Sequence, residues 1–217
     1  MALSKVNLTN AISGTLPAGN VNNATLDNVT SVPGAAIKGS MFLISEQTAS
    51  SSASIEFTTG IDSTYPIYQF EFINIHPASD NQNFQVNFRD GGSSFDATKT
   101  TTFFTAQHKE DDSSTNLAYS LGNDIAQGTG FQTLSYAITN DNDGCVSGEL
   151  KLFNPSSTTF VKHFISRANG MVDDGGIQTT DFYVAGYCNT TTAIDGVQFK
   201  FASGNIDSGD IKLYGIS

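Results

Sequence analysis

The sequence predicts an all-β protein: an antiparallel β-sandwich head, jelly-roll-like, preceded by an extended N-terminal ribbon. Three observations carry this. Sixteen Phe and seven Tyr are scattered among many Thr, Ser and Asn, with twenty Gly, a vocabulary that fits half-buried strands and tight turns. Short runs of alternating polar and apolar residues recur at intervals of about eight to fifteen residues, as neighbouring antiparallel strands do. Sustained Leu/Ala/Glu/Lys sequence with helical periodicity is missing.

The ribbon is residues 1–40 and the head residues 41–217. The first forty residues carry charge only at Lys5, Asp27 and Lys38. Single apolar residues stand at Val6, Leu8, Ile12, Leu16, Val21, Leu26, Val29, Val32 and Ile37, at spacings that fit neither a helical stripe nor one long alternating strand. An imperfect repeat closes each extended stretch with a proline and a glycine, Pro17 with Gly19 and Pro33 with Gly34. Proline pushes its preceding residue to extended geometry, so Leu16 and Val32 are expected to be extended. A single copy of such a ribbon leaves its backbone unpaired and its apolar residues uncovered. Several copies wrapped around one axis would supply both, which makes those nine apolar residues the expected attachment and oligomerisation set. A polar linker is the simpler alternative.

Strands follow from Met41. Met41–Ser45 is a short apolar run, Thr48–Ser52 reads as a serine-rich turn, and Ser54–Thr58 alternates. Ile67–Ile75 is the strongest strand, with Tyr68, Phe70 and Phe72 on one side; its pattern changes face near Ile73, which predicts a bulge. Phe84–Arg89 alternates into the hairpin-type turn Asp90–Ser93. Phe103–His108 and Asn116–Ser120 are strand candidates around the acidic turn Lys109–Ser114, and Gln127–Phe131 reads as loop. Cys145–Asn154, Thr159–Arg167, Phe182–Cys188, Gly196–Ala202 and Gly209–Ile216 complete the series, the last expected beside Val197–Phe201. The expected core is Phe57, Phe70, Phe72, Phe84, Phe88, Phe153, Phe164, Phe199 and Phe201.

A net charge of −11, with only ten Lys and Arg in all, argues against nucleic acid and against anionic membranes as partners. No segment has membrane-spanning length, so membrane insertion is not expected. Neither a nucleophile elbow, a phosphate-binding glycine loop, a dinucleotide fingerprint nor a zinc-protease helix is present, so the chain reads as no enzyme and needs no cofactor. His76, His108 and His163 stand far apart and read as hydrogen-bonded strand-end residues. Asp141 and Asp143, and Asp173 and Asp174, lie beside glycines as calcium-loop ligands do. Both stretches lack the EF-hand spacing and terminal glutamate and read first as ordinary turns, so no metal site is expected. Cys145 and Cys188 lack metal-ligand spacing and read as free thiols, or as a pair if their strands adjoin.

With these residues in view, the chain resembles virion structural proteins of tailed bacteriophages, especially fibre-like proteins of marine phages. The phrases Leu8-Thr9-Asn10, Ile12-Ser13-Gly14-Thr15-Leu16-Pro17 and Val29-Thr30-Ser31-Val32-Pro33-Gly34 look like the ribbon between anchor and head in tail fibres. Ser203–Gly209 followed by Ile211-Lys212-Leu213-Tyr214-Gly215 is similar to the endings of fibre heads, and Phe72–Pro77 and Leu152–Pro155 extend the likeness to the middle. The resemblance implies a virion protein assembled in the host cytoplasm: a symmetric homo-oligomer, most often a trimer, attached to other virion proteins by its N-terminal segment. Its head would then bind a glycan or protein of the host surface. A capsid decoration or head-fibre protein is the alternative within that group, and a carbohydrate-binding or hydrolytic β-sandwich the alternative outside it.

Overall fold

A computed structural model describes residues 41–217. The proposed attachment residues Val6 to Ile37 lie outside the described residues. Twelve strands form one antiparallel sheet: β1 (Met41–Ser52), β2 (Ile55–Phe57), β3 (Ile67–Pro77), β4 (Gln82–Arg89), β5 (Lys99–Lys109), β6 (Thr115–Tyr119), β7 (Gln132–Ile138), β8 (Val146–Phe153), β9 (Lys162–Asp173), β10 (Ile177–Cys188), β11 (Gly196–Phe201) and β12 (Ile206–Ile216). None of the described residues is helical.

One arm runs β6-β5-β10-β9-β8-β3-β12-β1, and a second runs β7-β4-β11-β2. The arms join where Ile138 of β7 pairs with Val172 of β9. At the far side β1 approaches β2, and the Gln47 side-chain amide donates to the Glu56 carbonyl at 2.5 Å, so the sheet nearly closes into a barrel. Near-closure sets the β1 edge against the β2 edge without backbone pairing between them.

Alternation aims the aromatic residues of both arms at one core. Phe199 of β11 lies 5.3 Å from Phe70, 5.2 Å from Phe72 and 5.9 Å from Phe84, ring centre to ring centre. Phe88 of β4 meets Phe164 of β9 at 4.8 Å. Such pairs contribute about 0.5–1.5 kcal/mol each beyond the area they bury. All the expected core residues are buried except Phe153. Leu150 and Leu152 point inward on β8, and a side chain one residue from Leu152 must face the other way.

The bulge predicted near Ile73 is present: pairing of β3 with β8 shifts between Phe72 and Ile75, and Ile73 and Asn74 both turn outward. Asn74 has φ 51°. Opposite it, Gly209 (φ 116°) brings its backbone so close that a Cβ would lie 2.5 Å from the Asn74 carbonyl oxygen.

Four expectations are corrected. Thr48–Ser52 is no reversing turn; it is the second half of β1, paired with β12 through Ser52 and Ile206, with Ser51 alone at a left-handed φ of 53°. Asp90–Ser93 does turn, with Gly91 and Gly92 at positive φ, but β4 pairs with β7 and β11, so the turn carries the chain between arms and closes no hairpin. The last strand does not lie beside β11; it is inserted between β1 and β3. Finally, β7 was not expected, because Gln132, Thr133 and Ser135 are buried there and disguise the alternation of Leu134, Tyr136 and Ile138. Gln132 is satisfied by the Thr101 hydroxyl at 2.6 Å and the Asn123 carbonyl at 2.8 Å.

The core also holds two lysines. Cys188 of β10 is paired on one side with Lys99 of β5 and on the other with Lys162 of β9, and all three are buried. Lys99 Nζ donates to the Gly130 carbonyl at 2.7 Å and Lys162 Nζ to the Thr190 carbonyl at 3.1 Å. Burial disfavours the charged form and lowers the Lys99 ammonium to about 8; it pushes the Cys188 thiol up to about 12.

Candidate functional site

The outward face of the longer arm carries a continuous cross-strand row: Tyr119, Phe104, Tyr183, Arg167, Glu149, Glu71, Lys212 and Glu46, one residue from each strand from β6 to β1. One end is aromatic and the other is charged. This follows from local sequence. Phe103-Phe104 on β5 and Phe182-Tyr183 on β10 are adjacent aromatic pairs, and a strand must send one member of each pair to either face. Phe103 and Phe182 enter the core, while Phe104 remains 39% exposed.

Phe104 and Tyr183 stack with their planes 2° apart and centres at 4.6 Å. On the other side of Tyr183, the Arg167 guanidinium lies 5.1 Å from the ring centre. Arg167 Nη2 donates to Asp181 Oδ2 at 2.6 Å, and the Tyr183 hydroxyl donates to the same oxygen at 2.8 Å. Partial burial pushes the Asp181 carboxyl up, but the Arg167 and Tyr183 hydrogen bonds outweigh it and hold the group below its ordinary value. The Asp181 hydrogen bond raises the Tyr183 hydroxyl, so the whole cluster stays in one protonation state through the neutral range. A ring held between a ring and a guanidinium, with a carboxylate fixing both polar ends, is a preorganised flat surface.

Two clefts flank this row along the strand direction. One, of about 430 Å³, is lined by Thr100, Thr102, His163, Ile165 and Tyr187, with Gly186 as its floor. A Cβ on Gly186 would lie 2.7 Å from the Thr100 carbonyl oxygen, so the floor must be glycine. The other, of about 390 Å³, is lined by Ser147, Arg167, Asn169 and Asp181. Leu117 and Ile165 extend the apolar character of the face, at 75% and 53% exposure. Isolated exposed apolar residues need no explanation, whereas contiguous ones form a patch of the kind that contact surfaces use.

A third cleft, of about 470 Å³, opens at the β3 bulge between Asn74, His76, Asp143, Cys145, Asp207 and Ser208. His76 Nδ1 donates to the Gly144 carbonyl oxygen at 2.5 Å. Burial, then the Asp143 charge, raises the Cys145 thiol, which keeps the sulfur protonated, opposite to what a nucleophilic cysteine needs.

The acidic turns are held by their own backbone. Gly144 N–H donates to the Asp141 carbonyl at 2.8 Å, and Gly176 N–H donates to Asp173 Oδ1 at 3.0 Å. Lys109 Nζ donates to the Gly175 carbonyl at 2.8 Å, placing an ammonium at the Asp173–Gly176 turn. Asp143 lines the bulge cleft, and Asp173 and Asp174 do not. Among the described residues, no three His, Cys, Asp or Glu side chains converge as metal ligands. Of the other histidines, His108 lies 3.0 Å from Asp112 in the β5–β6 hairpin and His163 lies on the outward face. Cys145 and Cys188 are both free.

Reading the aromatic residues as core material overlooked Phe104, Tyr119, Tyr183 and Arg167. The doublets Phe103-Phe104 and Phe182-Tyr183 are the signal that could have found them. No protein-family model matches the chain, and no curated protein matches it.

Proposed function

We propose that this chain is a structural subunit of a tailed-phage virion, a multimeric fibre or spike protein whose N-terminal segment attaches it and whose head binds the host surface. The observation that carries this reading is the preorganised aromatic and arginine face. The core has no use for Phe104, Tyr119, Tyr183 and Ile165 on that side, yet the fold stacks Phe104 flat on Tyr183 there, beside two clefts. Flat aromatic and planar polar groups suit contact with a partner at low conformational cost. The phrases at both ends of the chain, the recurring apolar residues of 1–40 and the low share of charged residues, 14% of the chain, support a trimeric virion protein over a free enzyme.

In this reading the nearly closed sheet is a jelly-roll-like sandwich, the β7-β4-β11-β2 arm forming the smaller layer. Its aromatic contacts with β3 and β9 are those expected between facing sheets.

The test is location on the particle. Antibody raised against the chain should label the tail of purified virions in electron micrographs, in small symmetric sets. Label spread over the capsid shell in many copies would replace the fibre reading with decoration, and absence from particles would remove both.

A further inference from the structure

Beyond that reading, we infer that the outer edge of β6 is an interface that pairs with β6 of a second copy of this chain. The sheet has edges at β1, β2 and β6. Two carry the protections that keep edges from pairing: β1 is bulged between Leu43 and Ser45 and bears Glu46, while β2 is only three residues long and bears Glu56. β6 carries none. Thr115-Asn116-Leu117-Ala118-Tyr119 has no charge, no proline and no bulge, pairs in register with β5 alone among the described residues, and is exposed at every position except Ala118.

The hydrogen-bond phase fixes what the edge offers. Lys109 N–H donates to the Ser114 carbonyl and Ser120 N–H to the Phe103 carbonyl. Antiparallel pairs alternate, so Asn116 and Ala118 spend their backbone groups on β5, and Thr115, Leu117 and Tyr119 point theirs outward. That outward set is symmetric about Leu117. A two-fold axis there places Thr115 opposite Tyr119 of the second copy and Leu117 opposite Leu117, which satisfies the free donors and acceptors of both strands. Such self-complementarity selects a second copy of this chain over an unrelated strand. The same pairing covers Leu117 and joins the two aromatic faces, Tyr119 and Phe104 of each copy, into one surface. The acidic turn at Glu110–Asp112 then approaches Asp124 of the second copy, so pairing strengthens as salt screens that repulsion.

The full chain carrying Leu117→Cys tests this, because paired residues on adjoining strands fall within disulfide reach. Under mild oxidation it should form a reducible dimer faster than either the wild-type chain or an Ile165→Cys control, and faster at high salt than at low. Light scattering on the full chain should show a species of doubled mass that Leu117→Lys abolishes. Leu117 is largely exposed, so both variants should fold. Cross-linking no faster than the Ile165→Cys control, with a mass distribution unchanged by Leu117→Lys, would overturn the inference. A loss of mass doubling caused by an added peptide of β6 sequence would support it, whereas binding of that edge to residues 1–40 of the same chain would overturn it. None of these outcomes depends on whether the chain is found in virions.

Discussion

The two faces of β9 and β10 use the same residue types to different ends. Inward, Phe164 and Phe182 are fully buried and meet Phe88, Phe103 and Tyr136 at mostly tilted or edge-on angles. Outward, Tyr183 lies parallel to Phe104, with Arg167 and Asp181 pinning its other side. Tilted and edge-on packing fills a volume, while parallel stacking on an exposed sheet makes a plane. The difference teaches that aromatic content alone does not separate core from contact surface; the polar groups around each ring do.

The largest effect is expected on the inward face. Phe199→Ala removes the ring that touches Phe57, Phe70, Phe72 and Phe84, and should cost about 3–5 kcal/mol in urea unfolding. A loss comparable to that of a surface substitution would mean that the inner cluster is loosely packed.

A smaller effect lies in the pH dependence set by the inward Lys99-Cys188-Lys162 row. The lysine drops from 10.5 unfolded to about 8 folded, so above pH 8 the unfolded state binds more protons and stability rises with pH. Its slope is at most about 1.4 kcal/mol per pH unit. The thiol runs the other way: it rises from 9.0 unfolded to about 12 folded, so from pH 9 the folded state holds the extra proton and stability falls. Stability should therefore climb from pH 8 to 9, flatten to about 10.5 where the two slopes oppose, and fall beyond. Lys162, also lowered by burial, acts in the same direction as Lys99, so any slope left between pH 9 and 10.5 should be upward. In Cys188→Ala the climb should continue to about 10.5, as followed by thermal unfolding across that range. A flat profile in both proteins would show that the lysines reach solvent.

The smallest effect on stability is expected outside. Arg167→Ala breaks an exposed ion pair and should leave urea unfolding nearly unchanged. It should nevertheless raise the Asp181 carboxyl, followed by NMR titration, because only the Tyr183 hydroxyl then opposes its partial burial.

Much of the inner face was legible because alternation is a period of two and each strand carries its own copy of the pattern. Tyr68, Phe70 and Phe72 declared the inward side of β3, and the slip at Ile73 declared its bulge. Pairing order was not legible, since β12 beside β1 and β3 depends on which distant strands share a core, which no local pattern encodes. The buried row was partly encoded: counting back by twos from Phe103 through Thr101 places Lys99 inward, but a lysine's usual exposure argues against following the count. The outer face fell to the opposite assumption, that an aromatic residue belongs inside. For β6, its edge position comes from topology alone.

In the proposed reading, the outward aromatic face is held for contact and not for stability. The direct measurement compares wild type with the double variant Phe104→Ser/Tyr183→Ser in two readouts, urea unfolding and adhesion of the fluorescently labelled full chain to host cells. The double variant should lose much less stability than Phe199→Ala and should lose adhesion. A core-sized loss of stability, or adhesion equal to wild type in a well-folded double variant, would contradict it.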